Sequence, residues 1–252
     1  MGTDIHLYVE RQTANGWERV RPGPWTCPWC DGKGEGRKGD QCYWCKGAKT
    51  TTKEYHERNY NLFAMLAGVR NGSGFVGCDT GDGFKPIDEP RDLPKDTSIK
   101  DSEGDDDYDS PEHVWLGDHS FSHVMLSEAL AYDYDQKTMH RGTVHAAEYA
   151  AWVEAGRKGP PKSYSGGVTG RDVRTVSQVD MDRLLRHGEI DTTSVAGPFD
   201  SPKAKDGCSY YTVVEWESSY RDSAGRAWFN FLDALKPLGD PSKVRLVFGF
   251  DS

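Results

Sequence analysis

The sequence predicts an α+β protein with one mixed or antiparallel sheet and several helices. Near the start, Ile5, Leu7 and Val9 alternate with polar residues, which is typical of a strand with one buried face. Residues 244–250 are mostly apolar and predict a buried strand that we expect to lie beside the first one. Helical patterns occur between these two strands. We therefore expect a single α+β domain over residues 1–252.

The first half of the chain begins with a β-hairpin pattern. Asn15-Gly16 is a strong hairpin signal before Trp17 and Val20, and the prolines at 22 and 24 break the second strand. Residues 58–70 carry apolar side chains at helical spacing, and Asn71-Gly72 is expected to end this helix. Residues 72–112 are rich in Gly, Pro and Asp and include the acidic run 101–109. We interpret this segment as a long functional loop or a mobile lid.

The second half predicts helices alternating with short strands. We expect helices at 126–134 and at 143–155, the latter with Thr143 as its N-cap. A short strand is expected around 173–176, followed by a helical turn at 181–187 that Asp180 caps. Residues 210–216 are rich in β-branched and aromatic residues and predict a central strand. An amphipathic helix over about 228–235 then precedes the last strand.

Two Cys-x-x-Cys pairs, Cys27/Cys30 and Cys42/Cys45, are the clearest chemical signal in the sequence. Each pair runs into a glycine-bearing turn, so that four thiolates can surround one Zn²⁺. Four protein ligands leave no open coordination position. We therefore predict one structural zinc per chain, in a knuckle inserted over residues 26–48. The alternative is a pair of redox or disulfide sites, but a thioredoxin-like motif has a single pair that opens a helix.

The spacing Cys-x-x-Cys-x-Gly-x-Gly followed by Cys-x-x-Cys-x-Gly resembles half of the cysteine-rich zinc region of J-domain chaperones. The resemblance covers about twenty residues. Those chaperones have four such repeats and a His-Pro-Asp helical hairpin, which this sequence lacks. The resemblance therefore implies a zinc site and no chaperone activity.

Composition restricts the partners and the compartment. The formal charge of −9 opposes non-specific binding to nucleic acid, because such binding depends on clusters of Lys and Arg. No stretch reaches the roughly twenty apolar residues of a membrane span, and the start shows no signal segment. We expect a cytosolic protein in which Cys78 and Cys208 are free, buried thiols.

Asp4 and His6 lie on the same face of the first strand, and Asp-x-His is also a metal-ligand spacing in calcineurin-like phosphoesterases. Together with Asp118 and His119, they are candidates for a second, catalytic metal site. This set would define a metal-dependent hydrolase of the phosphoesterase type. The simpler interpretation is a solvated polar face.

Arg58, Asn59 and Arg70 flank the first predicted helix and are candidates for binding a phosphate or carboxylate ligand. In an acidic protein, such arginines more often pair with carboxylates. The tryptophans around the knuckle offer a second candidate surface, an aromatic platform for a partner or a base, with packing against the sheet as the alternative. They are Trp17, Trp25, Trp29 and Trp44.

Five segments resemble a group of uncharacterised proteins of bacteriophages and actinobacteria. These segments are residues 1–10, which read MGTDIHLYVE, and residues 58–71, 86–94, 119–122 and 244–251. The resemblance implies a phage-related origin and no particular activity. Since no complete catalytic signature is present, we expect a non-enzymatic phage accessory protein. It would bind a host factor or a small nucleotide-like signal, with counter-defence as a candidate role. The alternatives are the hydrolase described above and a protein-interaction module centred on the zinc unit.

Overall fold

The computed structural model describes residues 2–36, 38–55, 57–74, 77–100, 113–193 and 201–251. The chain divides into two compact units. The first comprises Met1–Val69, Lys85–Tyr134 and Arg221–Ser252, and the second comprises Arg70–Phe84 and Asp135–Tyr220. The expectation of one domain over 1–252 stays a prediction. The acidic run 101–109 lies outside the described residues.

The described residues form an α+β fold, as predicted. In chain order the strands are β1 (Asp4–Thr13), β2 (Gly16–Val20), β3 (Trp25–Thr26), β4 (Thr50–Thr51), β5 (His119–Met125), β6 (Lys137–His145), β7 (Val173–Val176), β8 (Ser209–Ser219) and β9 (Val244–Asp251). The α-helices are α1 (Tyr60–Ala67), α2 (Leu126–Ala131), α3 (Ala146–Glu154), α4 (Gln178–Arg186) and α5 (Tyr220–Leu235). None of these helices combines the length and the apolar character that a bilayer span requires.

The first unit is built on an antiparallel sheet with the strand order β2-β1-β9-β5. β1 lies beside β9, which confirms the predicted pairing of these two strands. Ile5 opposes Phe250 and Leu7 opposes Phe248, and all four side chains are buried. The alternating pattern of β1 therefore directs one face of the sheet into the core.

Two helices pack their apolar residues in the first unit. α1 buries every residue from Leu62 to Ala67, and the ring of Phe63 lies 5.1 Å from that of Phe250 on β9. The helix ends earlier than predicted because Gly68 adopts a left-handed φ of 65° and donates its N–H to the carbonyl of Ala64.

α5 is kinked at Gly225, whose φ of 77° is not helical. The kink frees carbonyl groups, and the Asn59 side-chain amide donates to those of Ser223 at 3.0 Å and Ala224 at 2.9 Å. Asn59 also caps α1, since its side-chain oxygen accepts the N–H of Leu62 at 3.1 Å. One side chain thus joins the start of α1 to the bend in α5.

The second unit contains a mixed sheet with the order β6-β8-β7, in which β6 is antiparallel and β7 parallel to β8. α3 and α4 pack on it through an apolar cluster that includes Tyr149, Trp152, Met181, Val214 and Trp216. β5 and β6 were not predicted from the sequence.

Two helix starts in the second unit differ from the prediction. Thr143 lies in β6 opposite Val213, and α3 begins later, with the His145 imidazole accepting the N–H of Glu148 at 3.2 Å. α4 is capped by Ser177, whose hydroxyl accepts the N–H of Asp180 at 3.1 Å. Asp180 therefore lies inside the first turn, where a carboxylate is favoured by the helix dipole.

Candidate metal centre and other candidate sites

The four cysteines predicted as metal ligands meet in one buried cluster. The Sγ atoms of Cys27, Cys30, Cys42 and Cys45 all lie within 4.8 Å of one another. All four residues are buried and none forms a disulfide. Among the described residues, this is the only group of three or more Cys, His, Asp or Glu side chains close enough to hold a metal ion.

The spacing of the sulfurs fits a tetrahedral metal site better than a disulfide. Four ligands at a Zn–S distance of about 2.3 Å lie about 3.8 Å apart along each edge of a tetrahedron. The sulfurs of Cys30 and Cys45 are 3.6 Å apart. A disulfide would require about 2.05 Å. The donor set, four soft thiolates with no vacant position, is the one that structural Zn²⁺ sites use.

Two equivalent turns hold the ligands. After Cys30, the N–H of Lys33 donates to the Cys30 carbonyl at 3.0 Å, and after Cys45, the N–H of Ala48 donates to the Cys45 carbonyl at 2.9 Å. In both turns the residue directly after the cysteine has a positive φ, in the left-handed region, and so does the glycine that follows it. These residues are Asp31 (φ 51°), Gly32 (φ 69°), Lys46 (φ 47°) and Gly47 (φ 81°). The glycines of the sequence motif therefore permit the bends that turn the thiols inward.

Gly34 links the two turns. Its N–H donates to Sγ of Cys30 at 3.2 Å, and its carbonyl accepts the N–H of Cys42 at 2.9 Å. A Cβ at position 34 would lie 3.0 Å from the carbonyl oxygen of Gly47, and its φ is 81°. Both the close approach and the positive φ explain why glycine occupies this position.

The thiols differ in their acidity. Burial raises the pKa of Cys27 to about 12. Burial also acts to raise the pKa of Cys30, but the N–H of Gly34 and the neighbouring thiols outweigh it and lower this pKa to about 7. Metal ligation requires the thiolate, so Cys30 is the first of this pair to be ionised for a metal ion as the pH rises.

The knuckle is closed by β3 and β4, which pair antiparallel with Trp25 opposite Thr51. The N–H of Cys27 donates to the carbonyl of Lys49 at 2.9 Å and extends this closure. The indole of Trp25 is buried, with its ring 5.4 Å from that of Phe231 in α5. Trp25 therefore belongs to the core of the first unit and attaches the knuckle to it.

The other three knuckle-associated tryptophans have different environments. The Trp17 ring lies under the guanidinium of Arg245 at 4.0 Å. Trp29 and Trp44 occupy the same position in their two Cys-x-x-Cys turns, and their rings stack at 6.4 Å with an angle of 21°. Trp29 is 67% exposed. Of the four tryptophans, only Trp29 and Trp44 therefore form an aromatic surface on the knuckle.

Asp4 and His6 lie on one face of β1, as predicted, and each has a partner. Arg58 binds both carboxylate oxygens of Asp4, with Nε at 2.7 Å from Oδ1. His6 Nε2 lies 3.5 Å from a carboxylate oxygen of Asp251, and its ring is 4.5 Å from that of Trp115. The predicted pairing of an arginine with a nearby carboxylate thus describes Arg58.

Asp118 and His119 lie at the start of β5. The N–H of Asp118 donates to the carbonyl of Phe250 at 2.8 Å, and His119 stacks on the Phe250 ring at 6.2 Å. His119 Nδ1 is 2.9 Å from the Ser120 hydroxyl, and its Nε2 is 3.9 Å from Asp118. In the described residues, these two side chains do not join Asp4 and His6 in a cluster of metal ligands. A catalytic role for them stays a prediction.

Asn59 and Arg70 each have hydrogen-bond partners of their own. The amide of Asn59 is engaged by Leu62, Ser223 and Ala224, as described above. Arg70 lies in the second unit, where its guanidinium donates to the carbonyl of Gly74 at 3.4 Å. Ligand binding by either residue stays a prediction.

Two lysines beside the knuckle were not among the predicted site residues. Lys46 and Lys53 line a surface groove of about 430 Å³ together with Trp44, Cys45 and the threonines of β4. The ammonium of Lys53 lies 4.0 Å from the centre of the Trp44 ring. The lysine that follows the last cysteine was the available signal in the sequence.

Comparison with protein-family models, with curated proteins and with solved structures found no match to this chain. The fold and the site define it as an α+β protein with a buried four-cysteine centre that can hold a metal ion.

Proposed function

We propose that this chain is a non-enzymatic binding protein in which one Zn²⁺ stabilises the knuckle and the knuckle presents a recognition surface. The observation that carries the proposal is the buried cluster of four thiols, which supplies a complete set of ligands. Such a centre has no position for a substrate or a reactive water. It stabilises structure instead of performing chemistry.

The knuckle needs this stabilisation because it has little apolar core. The buried cluster inside it consists of the four cysteines, with Trp44 packed against them. Small segments of this kind derive their folding free energy from the metal, about 10–16 kcal/mol of apparent zinc binding in isolated zinc-finger peptides. The metal thus fixes the position of the exposed Trp29 and of its stacking partner.

The biological setting is the finer part of the proposal. We place the protein among phage accessory proteins that act in the host cytosol, where it would bind a host factor or a small nucleotide-like signal, with counter-defence as the purpose. Support for the phage setting comes from the five sequence segments described above. Support for binding comes from the exposed aromatic surface and the adjoining groove.

A hydrolase is the less favoured function. Both oxygens of Asp4 are bound by Arg58, and His6 lies against Asp251 and Trp115. A metal ion at Asp4 would have to displace the guanidinium first. The geometry therefore favours a structural ion pair at this position.

The test is the metal content of the purified chain, measured by plasma mass spectrometry without chelators. We expect one zinc per chain, and its loss in a Cys27→Ser/Cys42→Ser variant. The matched control is Cys78→Ser/Cys208→Ser, which removes two thiols outside the cluster and should keep the zinc. A chain that binds no zinc would overturn the proposal. So would a second metal that persists in the Cys27→Ser/Cys42→Ser variant and is lost from an Asp4→Asn/His6→Gln variant.

A further inference from the structure

The groove beside the metal centre has an unusual lining for an acidic protein. Among the described residues that line it, the polar side chains are two lysines and three threonines, and none is a carboxylate. The aromatic, basic and hydroxyl-bearing residues that line it are Trp44, Lys46, Thr50, Thr51, Thr52 and Lys53. The volume of about 430 Å³ lies in the range of small-molecule sites, about 300–1,000 Å³.

The positive charge of the groove comes from Lys46 and Lys53. Neither Lys46 nor Lys53 forms an ion pair with any residue that the structure describes. Two acidic residues of the knuckle and its flank pair with arginines. Glu54 accepts from Arg19 at 3.0 Å and from Arg21 at 3.3 Å, and Asp31 pairs with Arg226. The two ammonium groups therefore remain available to an anion.

Flat aromatic surface adjoins these charges. Trp44 contacts the Lys53 ammonium and stacks with Trp29, which is 67% exposed. Trp44 lines the groove and Trp29 stacks on it, so the exposed Trp29 indole continues the aromatic surface of Trp44. Indoles of this kind stack on nucleobases, and each stacked base contributes about 1–3 kcal/mol.

We propose that this groove binds a free nucleotide, with the base stacking on the indoles and the phosphates held by Lys46 and Lys53. The hydroxyls of Thr50 and Thr52, both exposed, are placed to donate to phosphate oxygens. This inference rests on the proposed function and names its ligand class.

The same features argue against two other partners. A long nucleic-acid strand would meet the field of a chain with a formal charge of −9, whereas a single nucleotide contacts only the local lysines. An acidic peptide would satisfy the lysines but would make no specific use of the stacked indoles. A nucleotide uses both.

The experiment is isothermal titration calorimetry on the zinc-loaded full chain. The probes are ATP, GTP, adenosine, inorganic tripolyphosphate and decathymidylate. We expect ATP or GTP to bind, with adenosine and tripolyphosphate each at least about tenfold weaker, because each lacks one of the two kinds of contact. Trp29→Ala should weaken nucleotide binding about five- to a hundredfold. Lys53→Gln should weaken it about tenfold or more.

Matched controls separate the groove from general effects. Trp115→Ala removes another exposed tryptophan and Lys158→Gln another exposed lysine. Neither residue is part of the groove lining, and neither change should alter the affinity. Each variant is first checked for one zinc per chain.

Three results would overturn the inference. If a zinc-loaded chain binds neither nucleotide at millimolar concentration, the nucleotide site is excluded. The proposed function, a zinc-stabilised binding protein, would not be contradicted by that result. Tripolyphosphate binding as tightly as ATP would exclude base stacking. Decathymidylate binding more tightly than ATP would indicate a strand instead of a free nucleotide. A chain without zinc would instead contradict the proposed function itself.

Discussion

Glu10 on β1 and Arg245 on β9 face each other across the sheet, and the guanidinium Nε donates to a carboxylate oxygen of Glu10 at 2.6 Å. Both side chains are buried, at 0% and 5% exposure. The other carboxylate oxygen accepts from Thr97 and from both the backbone and the hydroxyl of Ser98. The pair thus fixes the register of the two strands and attaches residues 97 and 98 to them.

Removing one partner of this pair should destabilise the first unit strongly. We expect Arg245→Met to lower the free energy of unfolding by about 3–5 kcal/mol, because it leaves a carboxylate buried without its cation. The double variant Glu10→Leu/Arg245→Met should recover most of the loss, since a buried ion pair is often replaceable by apolar residues. Urea unfolding followed by tryptophan fluorescence measures both.

As a control, Lys137→Met removes an exposed pair with Glu217 and should change stability by less than about 1 kcal/mol. A small effect of Arg245→Met would contradict this role.

Asn59 should contribute to stability through both halves of its amide. Asn59→Ala loses the α1 cap, worth about 1 kcal/mol, and leaves the carbonyls of Ser223 and Ala224 without their donor, at about 1–3 kcal/mol. Asn59→Asp keeps the capping oxygen but places a carboxylate against these carbonyls. We expect both variants to lower the thermal midpoint. If Asn59→Asp were as stable as the natural chain, the contact with α5 would have no energetic role.

The second unit should lose stability as the pH falls below about 6.5. His140 is buried and stacks on Trp216 at 5.5 Å, and desolvation lowers its pKa below the ordinary value of 6.5. The unfolded chain therefore takes up the proton first, so stability present above pH 6.5 is lost as the pH falls toward the lower pKa of the folded state. Burial also lowers the pKa of His145, which makes the free energy of unfolding depend more steeply on pH.

His140→Phe keeps an aromatic ring and removes the proton uptake. Thermal unfolding between pH 5 and 7.5 should show a shallower pH dependence in this variant than in the natural chain. His187→Gln, at an exposed position, serves as the comparison. An unchanged slope in His140→Phe would exclude His140 as its source.

Metal removal should unfold the knuckle and leave the sheet of the first unit folded. The amides of Gly34 and Cys42 depend on bonds inside the knuckle, whereas those of β1 and β9 lie in a ladder with a buried apolar face. With a strong zinc chelator, hydrogen exchange by mass spectrometry should show loss of protection over about residues 27–48 only. Equal loss in β1 and β9 would mean that zinc supports the whole unit.

The parts of the fold that the sequence predicted are those in which chemistry and periodicity agree. The cysteine spacing predicted the four-cysteine metal centre, and the apolar patterns of β1 and β9 predicted that these strands pair. β6 was missed because its buried residues include Thr138, His140 and Gly142, which do not read as an apolar face. Thr143 was predicted to be a helix cap because a threonine directly before an apolar helical pattern is typical of an N-cap. A threonine at the end of a strand that leads into a helix gives the same sequence pattern.

The sites show the same division. The four clustered cysteines lie within nineteen residues of one another, so local spacing revealed them. Glu10 and Arg245 are 235 residues apart, and each alone reads as a solvent-facing charge on a strand. Lys53 became a candidate only when the structure placed its ammonium over the Trp44 ring. Contacts between distant segments require the tertiary structure.

The pairing of β1 with β9 also has a consequence for synthesis in the cell. Asp4 pairs with Asp251, so the ribosome must add more than 240 residues after Asp4 before its partner exists. At about 5–20 residues per second, that interval is on the order of ten seconds to a minute. During this time, the apolar face of β1 and the free edge of the hairpin are uncovered and open to chaperones or to mispairing. The knuckle, whose ligands are made within a few seconds of one another, can close on its metal long before the sheet that carries it is complete.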